Sequence, residues 1–269
     1  MVCRVLGINR SNIYYRKKNK FDELEKEVVC VFKEHNANYG CPRIKLVLAS
    51  KNIVISKRRI GNILKKNGLE SKHGRRKLAK NIYTKPKERY IAENLIKNRK
   101  AFGSNEIWQM DYTEFRCKDG NLYANGLIDI SDKVVCMTYS TKADSVMSET
   151  TMRKAIELYG VPKIAHTDRG SIYVSKHMLE IFSEFEITRS MSAPHSPNEN
   201  QYIETFWKTL KIEVGRTKNF TKAKLVMILD YYLDYYNNFR IHSSIQYLTP
   251  IQKRRLFELA QTNSNKAIA

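Results

Sequence analysis

The chain has 269 residues, 42% hydrophobic and 28% charged, and its 48 Lys and Arg against 27 Asp and Glu give a formal charge of +21. That length and hydrophobic share suit a packed core and more than one module, while the lack of any eighteen-residue apolar run or signal-peptide core points to a soluble, unsecreted protein. Five scattered cysteines without a CxxC pair argue against a disulfide framework and for a reducing cytoplasm.

The charge is unevenly spread. Residues 1–105 hold 27 basic and 8 acidic side chains, a net +19, and residues 106–269 hold 21 and 19, a net +2. An excess this large and this localised points to a polyanion partner. Without an amphipathic membrane-anchor pattern, that partner is expected to be nucleic acid.

In chain order, residues 1–20 form a basic segment in which Leu6 to Ser11 look like half of a helix-turn-helix. Residues 21–70 read as a small helical domain. Leu24, Val28, Val31 and Phe32 recur at helical spacing, and Tyr39-Gly40 ends that helix. Pro42 suits the first turn of the next helix, and Ser56 suits the N-cap of a third over residues 57–66. In that third helix Ile60, Ile63 and Leu64 face inward, leaving Lys57, Arg58, Arg59, Lys65 and Lys66 outside. Three short helices ending in a basic one suggest a DNA-binding module, with a solvated basic face as the competing reading. Cys30, His35, Cys41 and His73 match no common zinc spacing. Residues 71–105 are too polar and basic to build a core and read as a linker suited to lie along phosphates, with disorder without function as an equal alternative.

From Glu106 the pattern changes. Residues 107–115, 122–130 and 133–140 read as three strands of an antiparallel meander. A helix over 145–159, a strand leading to Asp168, a small helix, a strand at 187–191 and a helix carrying Glu204 follow. Three meander strands followed by helix–strand–helix–strand–helix is the element order of an RNase H-like α/β fold, with a mixed five-stranded sheet, although periodicity alone does not separate it from other α/β arrangements. This core is expected over residues 106–260, with 261–269 as a fraying tail. The aromatic-rich helix from 222 to about 240 is expected to pack on the sheet, with Arg240 and His242 at its end able to reach phosphate.

Three carboxylates stand out. Asp168 falls at a strand end beside Gly170, and Glu204 follows 35 intervening residues later on a helix. Asp111 lies mid-strand among apolar neighbours, where a charge is costly without compensation. Asp129 and Asp132, at a strand end, are explained by an Asx-type turn. Carboxylates brought together repel unless hard divalent cations sit between them.

The chain resembles the integrase-type transposases of bacterial insertion sequences, in particular the second-reading-frame product of the IS-three class, and more distantly retroviral integrase. The matching motifs are Tyr39-Gly40-x-x-Arg43-Ile44, Trp108-x-x-Asp111-x-Thr113, His166-Thr167-Asp168-x-Gly170 and Ser190-Met191-Ser192. Further on come Asn200 with Glu204-x-Phe206 and Leu210-Lys211, then Tyr235-Tyr236-Asn237-x-x-Arg240-x-His242 and Thr249-Pro250. Almost the whole chain is covered, and the 35-residue interval is itself a family hallmark. Arg169 departs from the usual glutamine, His195 from glycine and Glu199 from aspartate.

The resemblance implies that Asp111, Asp168 and Glu204 hold two Mg²⁺ or Mn²⁺ for cleavage and transfer of DNA strands, without a covalent protein–DNA bond. It implies double-stranded DNA as partner, as terminal inverted repeats and as target, with a homo-oligomer assembled on it in the cytoplasm, at the nucleoid. Arg43, Lys57, Arg58, Arg59, Asn200, Lys211 and Arg240 are the expected DNA contacts. For Lys211 a plain surface lysine is an equal alternative, and for Asn200 a simple helix cap. His166 and Thr167 are expected to shape their strand, and His195 has no assigned role. In the family an upstream frame supplies a further helix-turn-helix by frameshifting, and this chain is expected to begin where the second frame begins. The competing reading is a decayed or domesticated DNA-binding protein that keeps only the basic module. A structure-selective nuclease on the same fold is a third, for which the basic front half has no use.

Overall fold

A computed structural model describes residues 20–73, 92–97, 103–193 and 197–268. The expected half helix-turn-helix at Leu6 to Ser11, most of the linker and His195 lie outside the described residues. The chain divides into two compact units, Met1–Lys80 and Asn81–Ala269.

In the smaller unit three helices pack on one another: α1 (Lys20–Glu34), α2 (Cys41–Ser50) and α3 (Lys57–Lys66). Val28, Val31, Ile44, Leu48 and Ile60 meet in its core, each fully buried. Pro42 occupies the first turn of α2, where a missing N–H leaves no helical bond unmade. The Ser56 hydroxyl accepts from the Arg59 backbone N–H and starts α3. Lys66 pairs with Glu25 at 2.8 Å, tying the end of α3 to α1.

The larger unit is built on a five-stranded sheet in the order β3-β2-β1-β4-β5. Strands β1 (Ile107–Cys117), β2 (Gly120–Asp129) and β3 (Val135–Ser140) form an antiparallel meander. After α4 (Ser145–Tyr159), β4 (Ile164–Thr167) pairs parallel to β1. After α5 (Lys176–Glu184), β5 (Thr188–Met191) pairs parallel to β4. This is the RNase H-like arrangement expected from element order. Trp108 and Met110 pack with α4 and α5 on one face of the sheet, through Met152, Ala155, Met178 and Ile181. On the other face lie α6 (Gln201–Val214) and α7 (Lys222–Asp234), through Ile203, Phe206, Trp207, Leu225 and Leu229.

Alternation along β1 therefore sends Gln109, Asp111 and Phe115 toward α6. Gly126, paired with Asp111 across β1 and β2, lets the helix approach: a Cβ there would lie 2.6 Å from the Trp207 ring.

Two segments differ from expectation. Residues 92–97, read as linker, lie beside β5: Met191 N–H donates to the Glu93 carbonyl and Leu95 N–H to the Ser190 hydroxyl. This covers backbone that would otherwise be an open sheet edge. Residues 261–268, in the tail expected to fray, continue α8 (Pro250–Ile268), where no glycine or proline follows Pro250 to stop the helix. Of the aromatic residues on and after α7, Tyr232 and Tyr236 are buried as expected, whereas Tyr231 and Phe239 face solvent.

Candidate active site

The pairing of β1 with β4 runs from Ile107 opposite Ile164 to Met110 opposite Thr167. The next residue on each strand is a carboxylate, Asp111 on the central strand and Asp168 where β4 ends. Ends of parallel strands are where α/β sheets place their chemistry. Asp168 is fixed locally, its Oδ1 accepting from the Gly170 N–H at 2.8 Å. A Cβ on residue 170 would stand 2.8 Å from that oxygen, which gives the glycine of the motif a steric reason. Glu204 lies on the exposed side of the first turn of α6, while Ile203 and Phe206 beside it anchor the helix to the sheet.

Asp111 and Glu204 both feel the charge of Asp168, and Asp111 that of Glu204 as well. Burial, then the charge of Asp168, then that of Glu204 push Asp111 up to about 8, against the Tyr112 backbone N–H and Lys211. Glu204 is raised by burial and by Asp168. At Asp168 burial raises the carboxyl and the Gly170 N–H offsets part of it. The Tyr112 hydroxyl is raised too, by burial and by Asp168 and Asp111. Lys211 is lowered by burial while Asp111 and Glu114 work the other way, and its Nζ stands 5.5 Å from the centre of the Phe115 ring. Lys211 thus lies close enough to Asp111 for their charges to couple. Among the described residues, no three His, Cys, Asp or Glu side chains stand close enough together to enclose a metal ion.

Asn200 does not cap α6. It is buried, its Nδ2 donates to the Met110 carbonyl at 3.1 Å, and its Oδ1 has no hydrogen-bond partner among the described residues. His166 is buried between Ser190 and Ser192, at 2.8 and 2.9 Å, and burial pushes it down to about 4. It is a neutral strut between β4 and β5. The residue sequence reasoning passed over is Gln109, which bonds across to the start of α6. A polar residue on the Asp111 face of an otherwise apolar strand start was the available signal.

In the smaller unit Lys57 and Arg58 are exposed, and Arg43 and Arg59 half-buried. The Arg43 guanidinium lies over the Tyr39 ring at 5.4 Å.

Arg240 requires a correction. Expected at phosphate, it is buried, with its guanidinium against the Glu213 carboxylate at 2.8 and 3.1 Å. His242 is buried beside it. A π-type turn over Tyr235–Phe239 replaces the last turn of the expected helix, and Arg240 follows it inward as the counter-ion of a carboxylate on α6.

Residues 20–77 match the HTH-like domain family, and residues 103–197 and 186–250 match two integrase core domain families. The chain is 31% identical to the transposase for insertion sequence element IS904 of Lactococcus lactis, over 84% of this chain and 91% of that protein. It is 27% identical to the putative transposase InsK for insertion sequence element IS150 of Escherichia coli, over 94% and 92%. With transposase InsF for insertion sequence IS3A, also of E. coli, it shares 26% over 93% and 92%. A structure of the HTLV-2 integrase catalytic core domain in complex with magnesium aligns with a TM-score of 0.44 at 20% identity, over 58% of this chain and 98% of that one. With these relatives matched along nearly their whole lengths, the chain belongs to the integrase-core transposases of bacterial insertion sequences, in the IS-three class.

Proposed function

We propose that the larger unit is a DNA strand transferase whose metal-holding residues are Asp111, Asp168 and Glu204, and that the smaller unit grips double-stranded DNA. What supports this is that Asp111 and Asp168 directly follow the last paired residues of neighbouring parallel strands, and that Glu204, on the first turn of α6, is near enough for its charge to act on Asp111. Acidic side chains brought near one another repel unless a cation joins them. An all-carboxylate donor set suits hard divalent ions, Mg²⁺ or Mn²⁺, better than soft ones. Held by Asp111, Asp168 and Glu204, two such ions would supply activation of the attacking oxygen and stabilisation of the leaving one for displacement at phosphorus.

The chain's own groups orient that chemistry. Asp111 is set by the central strand, Asp168 by its bond from Gly170, and Glu204 by a helix whose other face is packed on the sheet. Lys211, seven residues beyond Glu204 on the same helix, is about two turns along, where its ammonium meets a phosphate of the bound strand. Lys57, Arg58, Arg59 and Arg43 neutralise phosphates of duplex DNA, the terminal inverted repeats of the element and its target. A homo-oligomer on DNA completes the assembly.

Strand cleavage and joining of labelled duplex ends in Mg²⁺ is the test. Asp111→Asn and Glu204→Gln should each lower the rate by at least about 10³-fold, roughly 4 kcal/mol of barrier. Duplex affinity measured in Ca²⁺ should stay unchanged. Wild-type rates from either variant would remove that residue from the site.

A further inference from the structure

The first N–H groups of a helix have no partner within it and need an acceptor from elsewhere. In α6 the residue at the cap position, Asn200, supplies none, because its amide is turned to the Met110 carbonyl. The acceptor comes from another element. Gln109 Oε1 takes the Tyr202 N–H at 3.0 Å and stands 3.4 Å from the Ile203 nitrogen, while its Nε2 donates to the Glu199 carbonyl at 2.9 Å. The neutral amide both donates and accepts here; a carboxylate lacks the donor and an apolar side chain lacks both.

Gln109 precedes Asp111 by two residues on β1, and Tyr202 precedes Glu204 by two on α6. One side chain thus ties together the two elements that carry these carboxylates, which are distant in sequence. It is almost completely buried, and all its polar contacts here are to backbone.

We propose that Gln109 is the positioning residue that sets Glu204 against Asp111, acting through the first turn of α6 and touching neither DNA nor metal. This rests on the reading above that the two carboxylates share a metal site. A side chain in this relation to a metal ligand orients it, and losing such support typically weakens metal binding by about 10–100-fold.

The experiment compares the full chain with Gln109→Met, which keeps the length and loses both hydrogen-bonding atoms, and with Gln109→Asn, which keeps the amide and falls one methylene short. Three quantities are read: amide hydrogen exchange along α6 without metal, Mn²⁺ affinity by calorimetry, and the Mn²⁺ concentration giving half-maximal strand transfer. Both variants should exchange faster at Tyr202 and Ile203 while the sheet stays protected. Both should bind Mn²⁺ at least about tenfold more weakly, and half-maximal transfer should shift in proportion. A lower melting temperature with unchanged Mn²⁺ affinity in the folded protein would make Gln109 merely structural and overturn the proposal. If Gln109→Met does not fold, Gln109→Asn decides alone on the same readings. Glu204→Gln is measured alongside: unchanged Mn²⁺ affinity there overturns the metal-site reading and this inference with it. Weakened binding in Glu204→Gln beside unchanged binding in both Gln109 variants overturns this inference only.

Discussion

Asp111 sits where folding alone would not put a carboxylate: on the central strand, beside Asp168, on the face covered by α6. Its folded value of about 8 compares with an unfolded value near 3.9. Between these limits the folded chain keeps a proton that the unfolded chain has released, so stability falls as pH rises through that window. Below about pH 4 both states are protonated and the penalty vanishes. The metal-free Asp111→Asn protein should therefore be the more stable one at pH 8, by an amount on the order of 2 kcal/mol allowing for the carboxyl's remaining contact with water. The two proteins should melt together at pH 4. Saturating Mg²⁺ should invert the order at pH 8, since a ligand that binds only the folded wild type stabilises it by mass action. Thermal melts at the two pH values check this, and a wild type as stable as the variant at pH 8 without metal would show that Asp111 carries no such penalty. Arg240 illustrates the opposite case. Its charge is matched by Glu213 in the core, so removing either partner strands the other, a loss typically of about 3–5 kcal/mol.

At the scale of elements, the site depends on how closely α6 can lie against β1 and β2, and Gly126 sets that distance. The Cβ of an alanine there would meet two Trp207 ring atoms at 2.6 and 2.7 Å and Ile203 Cδ1 at 3.5 Å. The indole is packed among Phe206, Leu225 and other core residues, so the helix must move. Gly126→Ala should cost about 1–3 kcal/mol and should lower strand transfer beyond what the lost folded fraction explains, because Glu204 rides on the same helix. Denaturant titration with rates corrected for folded fraction checks this; a rate loss that merely follows the folded fraction would mean α6 tolerates the shift. The sequence pattern already carried much of this element. Ile203, Phe206 and Leu210 recur at helical spacing, and the Ser56 and Pro42 signals start α3 and α2. Partners distant in sequence were not legible. Nothing in the neighbourhood of Asp129 and Asp132 announces that Arg254 on α8 pairs with both, at 3.2 and 2.9 Å. Local turn chemistry explained their hydrogen bonds to Ser131 and Val134 and left out their counter-ion. Arg240 escapes the sequence for the same reason: a basic residue past an aromatic helix looks alike whether its anion is a phosphate on the solvent side or the buried Glu213 carboxylate. Gln109 was hidden because its partners are backbone groups, which have no signature in side-chain pattern.

Over the whole molecule, charge and chemistry are separated. Residues 1–80 contain 21 basic and 6 acidic side chains, a net +15, and residues 81–269 contain 27 and 21, a net +6. These ranges are the two compact units. In the smaller one α3 carries five basic residues and no acidic one, with Lys57, Arg58 and Lys65 exposed. Duplex affinity driven by phosphate neutralisation falls linearly in log–log form with salt, by about 0.9 per phosphate contact on B-DNA. A chain beginning at Asn81 should therefore bind duplex DNA more weakly than the whole chain, and its affinity should depend less steeply on salt. In the whole chain, Lys57→Gln with Arg58→Gln should reduce the slope by up to about 2 while the strand-transfer rate at saturating DNA stays near wild type, because neither residue belongs to the carboxylate site. Glu204→Gln should do the reverse, leaving the slope alone and abolishing transfer. Fluorescence anisotropy over a salt series, with single-turnover transfer measured on the same preparations, separates the two behaviours. Equal affinity and equal slope for the Asn81 chain and the whole protein would place the DNA grip in the larger unit, and the role assigned to α3 would then fall.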